Sequence, residues 1–293
     1  MCFERDAIGE AARELATFGR GLAVALTKRQ GALAATPGAF AARRSAVLVR
    51  PRRLAALREV LALPPGPAPL PPTAPEALLL PLLAEIATSP SFPLSPLGLI
   101  HVRQTIELLR TIGEAEPLDL EATVVEFRSI ERGVEVDIEG VASVGAEPVW
   151  RGVTTLLSRS RAARARDRAP RRRERRTAPP KPRVVVEVAA DTGRRYATAS
   201  GDWSPHHLTA ATALVVGFRR PIAHGMWTLG RALAAMPNPG APFRVEATFK
   251  RPLPMPGRVA LGWEPSEEGA TRFEVWDPTT RAPHLDGTMV AGS

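Results

Sequence analysis

Asp202 and His207 lie five residues apart in the segment SGDWSPHH, Ser200–His207, a short loop broken by Pro205. An acid and a base held this close are the residue types that proton transfer beside a carbonyl requires. Seventeen residues after His207, His224-Gly225-Met226 opens an apolar segment predicted to be a buried helix. The first N–H groups of a helix have no intrahelical partner, so Gly225 could donate to an oxygen that gains negative charge. Glycine there would also let a carbonyl approach the backbone closely. Three of the five histidines fall between Tyr196 and Met236, and the chemistry is predicted to lie in that window.

The other residues able to do chemistry are read more plainly. His206 adjoins His207, but neighbouring side chains point in different directions, so only one is expected to serve as the base. His101 and His284 fall in predicted strands and are expected to be structural. His224 either touches the site from behind or fixes the turn before the helix. Trp203 and Trp227 are expected to wall a cavity. Asp202, His206, His207 and His224 are of the types that bind a metal. Yet no HxxxH or HEXXH spacing accompanies them, and a metal-free site is expected.

These residues need a frame. Leu118 to Ser158 reads as three strands separated by turns at Glu131-Arg132-Gly133 and Gly145-Ala146-Glu147. After a basic stretch come strand candidates at Val184–Val188, Phe243–Lys250, Arg258–Trp263, Thr271–Trp276 and His284–Val290. Both halves show an apolar helix, near Glu76–Ala87 and at Gly225–Met236, followed by antiparallel strands. Leu99–Leu109 is ambiguous by periodicity, and the repeat favours strand. An α+β fold follows, with two copies of a helix wrapped by an antiparallel sheet. Where the first half should carry an Asp/His loop, it reads LPPGPAPLPPTAPEA, so one active site per chain is expected. The predicted organisation is a helical extension over 1–40 (Phe18, Leu22, Val24 and Leu26 its apolar positions), a degenerate repeat over 41–158, a basic linker over 159–183 and a catalytic repeat over 184–293.

Composition narrows the class. The net charge of +9 invites a nucleic-acid reading, but twelve Lys/Arg against two acids lie between Arg159 and Arg183. The remainder holds 27 basic and 28 acidic residues, so the folded parts are nearly neutral. The basic segment has no aromatic residue to stack on bases, and it reads as a solvated linker. Attraction of an anionic partner is the sharper reading, and nucleic acid is not expected. Cys2, the single cysteine, excludes an intrachain disulfide and suits a reducing cytoplasm. Glu4, Asp6 and Glu10 argue against a signal peptide, and the longest apolar run, Ala77–Ile86, is too short to span a membrane.

The segments Ser200–His207 and Arg220–Met226, RPIAHGM, resemble the SGDxNPxH and RPIAHGM motifs of MaoC-like enoyl-thioester hydratases and dehydratases. FPLSPLGLIH, VWRGVTTLL, the basic proline-bearing linker and the closing PHLDGT extend the resemblance to two-repeat actinobacterial (R)-3-hydroxyacyl-thioester dehydratases. The resemblance implies a double hot-dog fold, two antiparallel sheets each wrapping a central helix, whose first repeat has lost its catalytic loop. It also implies reversible hydration of trans-2-enoyl thioesters in fatty-acyl metabolism, without cofactor or metal. Asp202 and His207 would be catalytic, with Gly225, Ser204 and His224 binding substrate. The substrate would be a thioester of CoA or of acyl carrier protein, and a homodimer stays open. Ser204 departs from the family, which has asparagine there, and this bears on how the reacting water is oriented. Two other readings compete: a hot-dog thioesterase, which would release thiol, and a non-catalytic acyl-thioester-binding protein.

Overall fold

The computed structural model describes residues 38–64, 66, 68–96, 98–159, 178–266 and 269–292. The helical extension expected over 1–40 and the linker residues 160–177 lie outside these, apart from residues 38–40. The first half comprises β1 (Ala41–Val47), α1 (Pro51–Leu61), α2 (Ala74–Thr88), β2 (Leu99–Leu108), β3 (Leu118–Ile130), β4 (Gly133–Val144) and β5 (Glu147–Arg159). The second comprises β6 (Pro182–Val188), α3 (Thr192–Ser200), α4 (Ala210–Val215), α5 (Gly225–Ala235), β7 (Phe243–Phe249), β8 (Gly257–Pro265), β9 (Thr271–Trp276) and β10 (Pro283–Ala291).

Strand content follows alternation. In β3, Leu118, Leu120, Ala122 and Val124 are buried while the residues between them are more open, the period of two that a half-covered sheet demands. The ambiguous segment after Gly98 is a strand, β2, which pairs with β5 on one side and β7 on the other. That second pairing, from Arg103 opposite Thr248 to Leu108 opposite Phe243, joins the two halves. The two expected sheets are thus the halves of one ten-stranded antiparallel sheet, β1-β3-β4-β5-β2-β7-β10-β9-β8-β6.

The linker boundaries move slightly. Arg159 closes β5, and Pro182 and Arg183 already belong to β6, which pairs with β8 from Pro182 opposite Gly262. β6 is an edge strand, the position where a proline costs the sheet no ladder bond.

Each half packs one central helix on its strands. Helix α2 buries Leu79, Leu82 and Ile86 against β1, β3 and β4, and α5 buries Trp227, Leu229 and Ala232 and packs against β9 and β10. Helices α1 and α3 were not foreseen in the sequence, and they bind the halves together. Helix α1 opens on Pro51, whose missing N–H is no loss at that position, and buries Leu54, Leu57 and Leu61 along one face. It packs on α3 and receives hydrogen bonds from α5: Trp227 Nε1 to the Val60 carbonyl at 2.9 Å, and Arg231 to the Leu61 carbonyl at 2.7 Å. Trp227 is therefore core, not cavity wall. The proline-rich stretch before α2 is tied down by Trp150 Nε1, which donates to the Pro72 carbonyl at 2.9 Å.

Candidate active site

The site is built where α3 ends and α5 begins. Helix α3 closes at Ser200, with Gly201 in the left-handed conformation that lets the chain turn away. Asp202 follows immediately. Pro205 starts a single 3-10 turn, Pro205–His207, which returns His207 toward Asp202. The turn lies directly on α3: a β-carbon added at Gly193 would overlap the His207 carbonyl oxygen. His224 then caps α5, with its side chain buried at the same point.

One ligand atom from each of Asp202, His207 and His224 lies within 4.8 Å of the others. No direct hydrogen bond joins Asp202 to His207 among the contacts of the described residues. His207 Nδ1 is 2.7 Å from the Ile222 carbonyl. A carbonyl only accepts, so Nδ1 carries the proton and Nε2 keeps its lone pair. Ser204 holds Asp202 by two bonds to Oδ1, from its hydroxyl at 2.6 Å and its backbone N–H at 3.1 Å. His224 Nε2 donates to the Asp202 backbone carbonyl at 3.0 Å and stands 3.7 Å from Oδ2. The Asp202 side chain is 27% exposed and His224 only 3%, so the carboxylate faces the cavity and His224 stands behind it.

Electrostatics sort the roles. Burial pushes His207 down to about 3, helped by the neighbouring His224 and opposed by Asp202 and the Ile222 carbonyl. His206 is likewise pushed down to about 3, by burial first and then by His207. His224 is lowered by burial, against the pull of Asp202. Burial works against the charge on Asp202, but His224, His207 and the Ser204 bonds outweigh it and hold the carboxyl below its ordinary range. At neutral pH the site therefore contains an ionised carboxylate and neutral imidazoles.

Gly225 is the first residue of α5, and its N–H has no partner within the helix. A β-carbon there would stand 3.0–3.2 Å from three atoms of the Phe249 ring. That ring is in turn 4.7 Å from His101, on β2 of the first half. The cavity is lined from both halves, by Asp202, His207, Gly225, His101 and Glu76 among others.

Asp202, Ser204, His207, His224 and Gly225, the residues singled out in the sequence, converge here. Sequence reasoning passed over Tyr196, whose buried ring lies 4.8 Å from that of His224, and Phe249, which covers Gly225. It also gave no role to the Ile222 carbonyl that sets the His207 tautomer. None of these carries a spacing signal, because their partners are brought by tertiary packing. His284, expected to be structural, is 3.0 Å from the Arg251 carbonyl through Nδ1. As for a metal, Asp202, His207 and His224 have the right donor types. However, a His224 Nε2 that donates to a carbonyl has no lone pair left at that atom for a cation.

An antiparallel sheet wrapping helices, as here, is the hot-dog arrangement, and its cavity brings an acid, a base and a helix N-terminus together. Comparison with known proteins agrees. The model of the MaoC like domain matches residues 172–252. A 3-hydroxyacyl-thioester dehydratase X of Mycobacterium tuberculosis is 31% identical over 229 residues, covering 75% of this chain and 78% of the relative. The crystal structure of HtdX from the same organism superposes with a TM-score of 0.73 at 26% identity, over 86% of this chain and all of that one. A MaoC-like dehydratase of Phytophthora capsici shares the fold, with a TM-score of 0.65 at 16% identity over 86% of this chain and 95% of its own. The chain belongs to the MaoC-like dehydratase family and is a hydro-lyase.

Proposed function

We propose that the protein interconverts trans-2-enoyl and (R)-3-hydroxyacyl thioesters by adding or removing water, as a step of fatty-acyl metabolism that needs no cofactor. The observation that carries this reading is the convergence of Asp202 and His207, with one ligand atom of each and of His224 within 4.8 Å of one another, beside the N-terminus of α5.

In hydration, a water held between these two groups gives up a proton to the pair as its oxygen bonds to C3 of the enoyl chain. The electron pair of the double bond moves toward the thioester carbonyl, whose oxygen takes the negative charge. The Gly225 N–H and the positive end of α5 stabilise that oxygen. Collapse of the enolate takes a proton at C2 and leaves the thioester intact. Dehydration runs the same steps backward, the pair now protonating the departing 3-hydroxyl. Each of these contributions is worth about 10²–10⁴ in rate.

Ser204 fits this scheme as an orienting residue. Its hydroxyl fixes Asp202 Oδ1, which leaves the reacting oxygen to be positioned by Oδ2 and His207. His224 fits as a positioning residue that stacks on His207 and bonds the Asp202 backbone.

The test follows ultraviolet absorbance of trans-2-enoyl-CoA thioesters with purified protein and with Asp202→Asn alongside. Loss of the enoyl band with wild type alone, without free thiol, is expected. Thiol release would replace the reading with a thioesterase. No change with either CoA or acyl-carrier thioesters, despite measurable binding, would make the protein a binding module.

A further inference from the structure

The two most exposed large apolar side chains among the described residues stand next to each other. Leu214 and Val215, 67% and 87% exposed, close the short helix α4. Single surface leucines are ordinary, but an adjoining pair on an ordered turn makes a patch. The turn is fixed at both ends. Thr209 and Thr212 each accept from the other's backbone N–H at the start of α4. Past Val215, the Gly217 N–H donates to the Leu214 carbonyl at 3.0 Å and the Phe218 N–H to the Ala213 carbonyl at 2.9 Å. Gly217, at φ 93°, reverses the chain there. Ala213 is the one buried residue of α4, so the helix is an anchored knob that presents its apolar end to solvent.

The knob stands beside the candidate site. The Phe218 ring lies 5.6 Å from that of His206, which lies 3.9 Å from that of His207. Val216, Phe218 and His206 line the same cavity as Asp202. The surroundings of the knob are also positive. No Asp or Glu occurs between Asp202 and Glu246. Arg219 is exposed and has no acid against it among the described residues. Arg220 and Arg194 are exposed too, and they donate to backbone carbonyls, of Pro256 at 2.5 Å and of Leu208 at 3.1 Å. A carbonyl takes the hydrogen bond without cancelling the charge. The chain outside its basic linker is nearly neutral, so this positive rim is a local feature.

Two apolar side chains framed by uncancelled arginines fit an acidic protein surface with an apolar contact of its own. Coenzyme A, whose charge is phosphate, could satisfy the arginines but would leave Leu214 and Val215 in water. A second copy docked through the same patch would set arginine against arginine. We propose that α4 is the docking point for an acidic acyl carrier protein, whose phosphopantetheine arm delivers the thioester past Phe218 and His206 to Asp202 and His207. This rests on the thioester reading above and adds to it which carrier brings the substrate. The arginines steer the encounter and weaken with salt, and the apolar pair holds the complex once formed.

The test compares one trans-2-enoyl chain as its CoA thioester and as its thioester on an acyl carrier protein. With wild type, kcat/KM for the carrier-bound chain should exceed that for CoA by at least about tenfold and fall as salt is added. Val215→Glu and Arg219→Glu, both checked for folding by circular dichroism, should each lower it about tenfold through KM. Turnover of the CoA thioester should not change in either. Equal losses on both thioesters would make the rim a phosphate site and overturn the proposal. A CoA thioester preferred by wild type, or carrier kinetics unchanged in folded Val215→Glu, overturns it as well. So does a dimer that Val215→Glu dissociates while carrier kinetics stay the same, which assigns the patch to a second copy. Calorimetric binding of the holo carrier protein without an acyl chain separates docking from the parent reading. Binding that is lost in Val215→Glu upholds docking even if no thioester is turned over. Hydration of enoyl-CoA without any carrier binding refutes docking and leaves the thioester reading standing.

Discussion

The imidazoles of His207 and His224 stack with centroids 3.5 Å apart and planes inclined by 25°. Burial lowers both rings, and the neighbouring His224 lowers His207 further, while Asp202 stays ionised. In the proposed mechanism His207 is the base and His224 its neutral support.

Asp202→Asn and His207→Ala should each lower kcat by about 10²–10⁴ with KM changed far less. Steady-state hydration kinetics, with circular dichroism to check folding, decide the matter. Wild-type rates in either folded variant would remove the residue from the mechanism.

Ser204→Ala removes the 2.6 Å bond that fixes the Asp202 carboxylate. A hydrogen bond to the charged form lowers a carboxyl's pKa, so its loss should raise that of Asp202. The acidic limb of the kcat profile should move upward in pH and kcat should fall about tenfold. A pH–rate profile indistinguishable from wild type would leave Ser204 no orienting role.

Stability should fall as pH drops from about 6.5 toward 3. His207 takes up its proton near 6.5 when unfolded but only at about 3 when folded. Above 6.5 both states hold it neutral and nothing is lost. Below that value the unfolded chain binds a proton that the folded chain refuses, at a cost of up to about 1.4 kcal/mol per pH unit. Urea midpoints across this range should flatten in part in His207→Ala. A slope identical to wild type would contradict the burial argument.

Gly225→Ala and Gly193→Ala separate chemistry from packing. At Gly225 the nearest contacts of the added carbon are three atoms of the Phe249 ring, at 3.0–3.2 Å. Turnover should drop more than stability, with partial rescue by Phe249→Leu. At Gly193 the added carbon overlaps the His207 carbonyl, so the backbone must move and both melting temperature and kcat should fall.

The second half should not fold alone, although it carries the whole acid–base site. A chain of residues 178–292 would expose the edge of β7 that pairs with β2 and leave Trp227 and Arg231 without the Val60 and Leu61 carbonyls. Size-exclusion chromatography should show aggregation or self-pairing. A stable, active monomer would make the first half dispensable.

Sequence determined much of this protein by itself. The spacing of Asp202 and His207, the apolar run after His224 and the strand alternation around β3, β4 and β5 are local signals, set by bonds and periodicity along the chain. They sufficed for the fold class and for naming Asp202, His207 and Gly225 as candidates. Packing alone decided the rest. That Ile222 fixes the His207 tautomer, that His224 stacks on it, and that β2 joins β7 depend on contacts between residues far apart in the chain, which no period records. Glu76 is the sharpest case. In sequence it is one acid near the start of an apolar helix, and only the closing of the sheet around α2 makes it a buried group, bonded by Thr154, that lines the same cavity as Asp202.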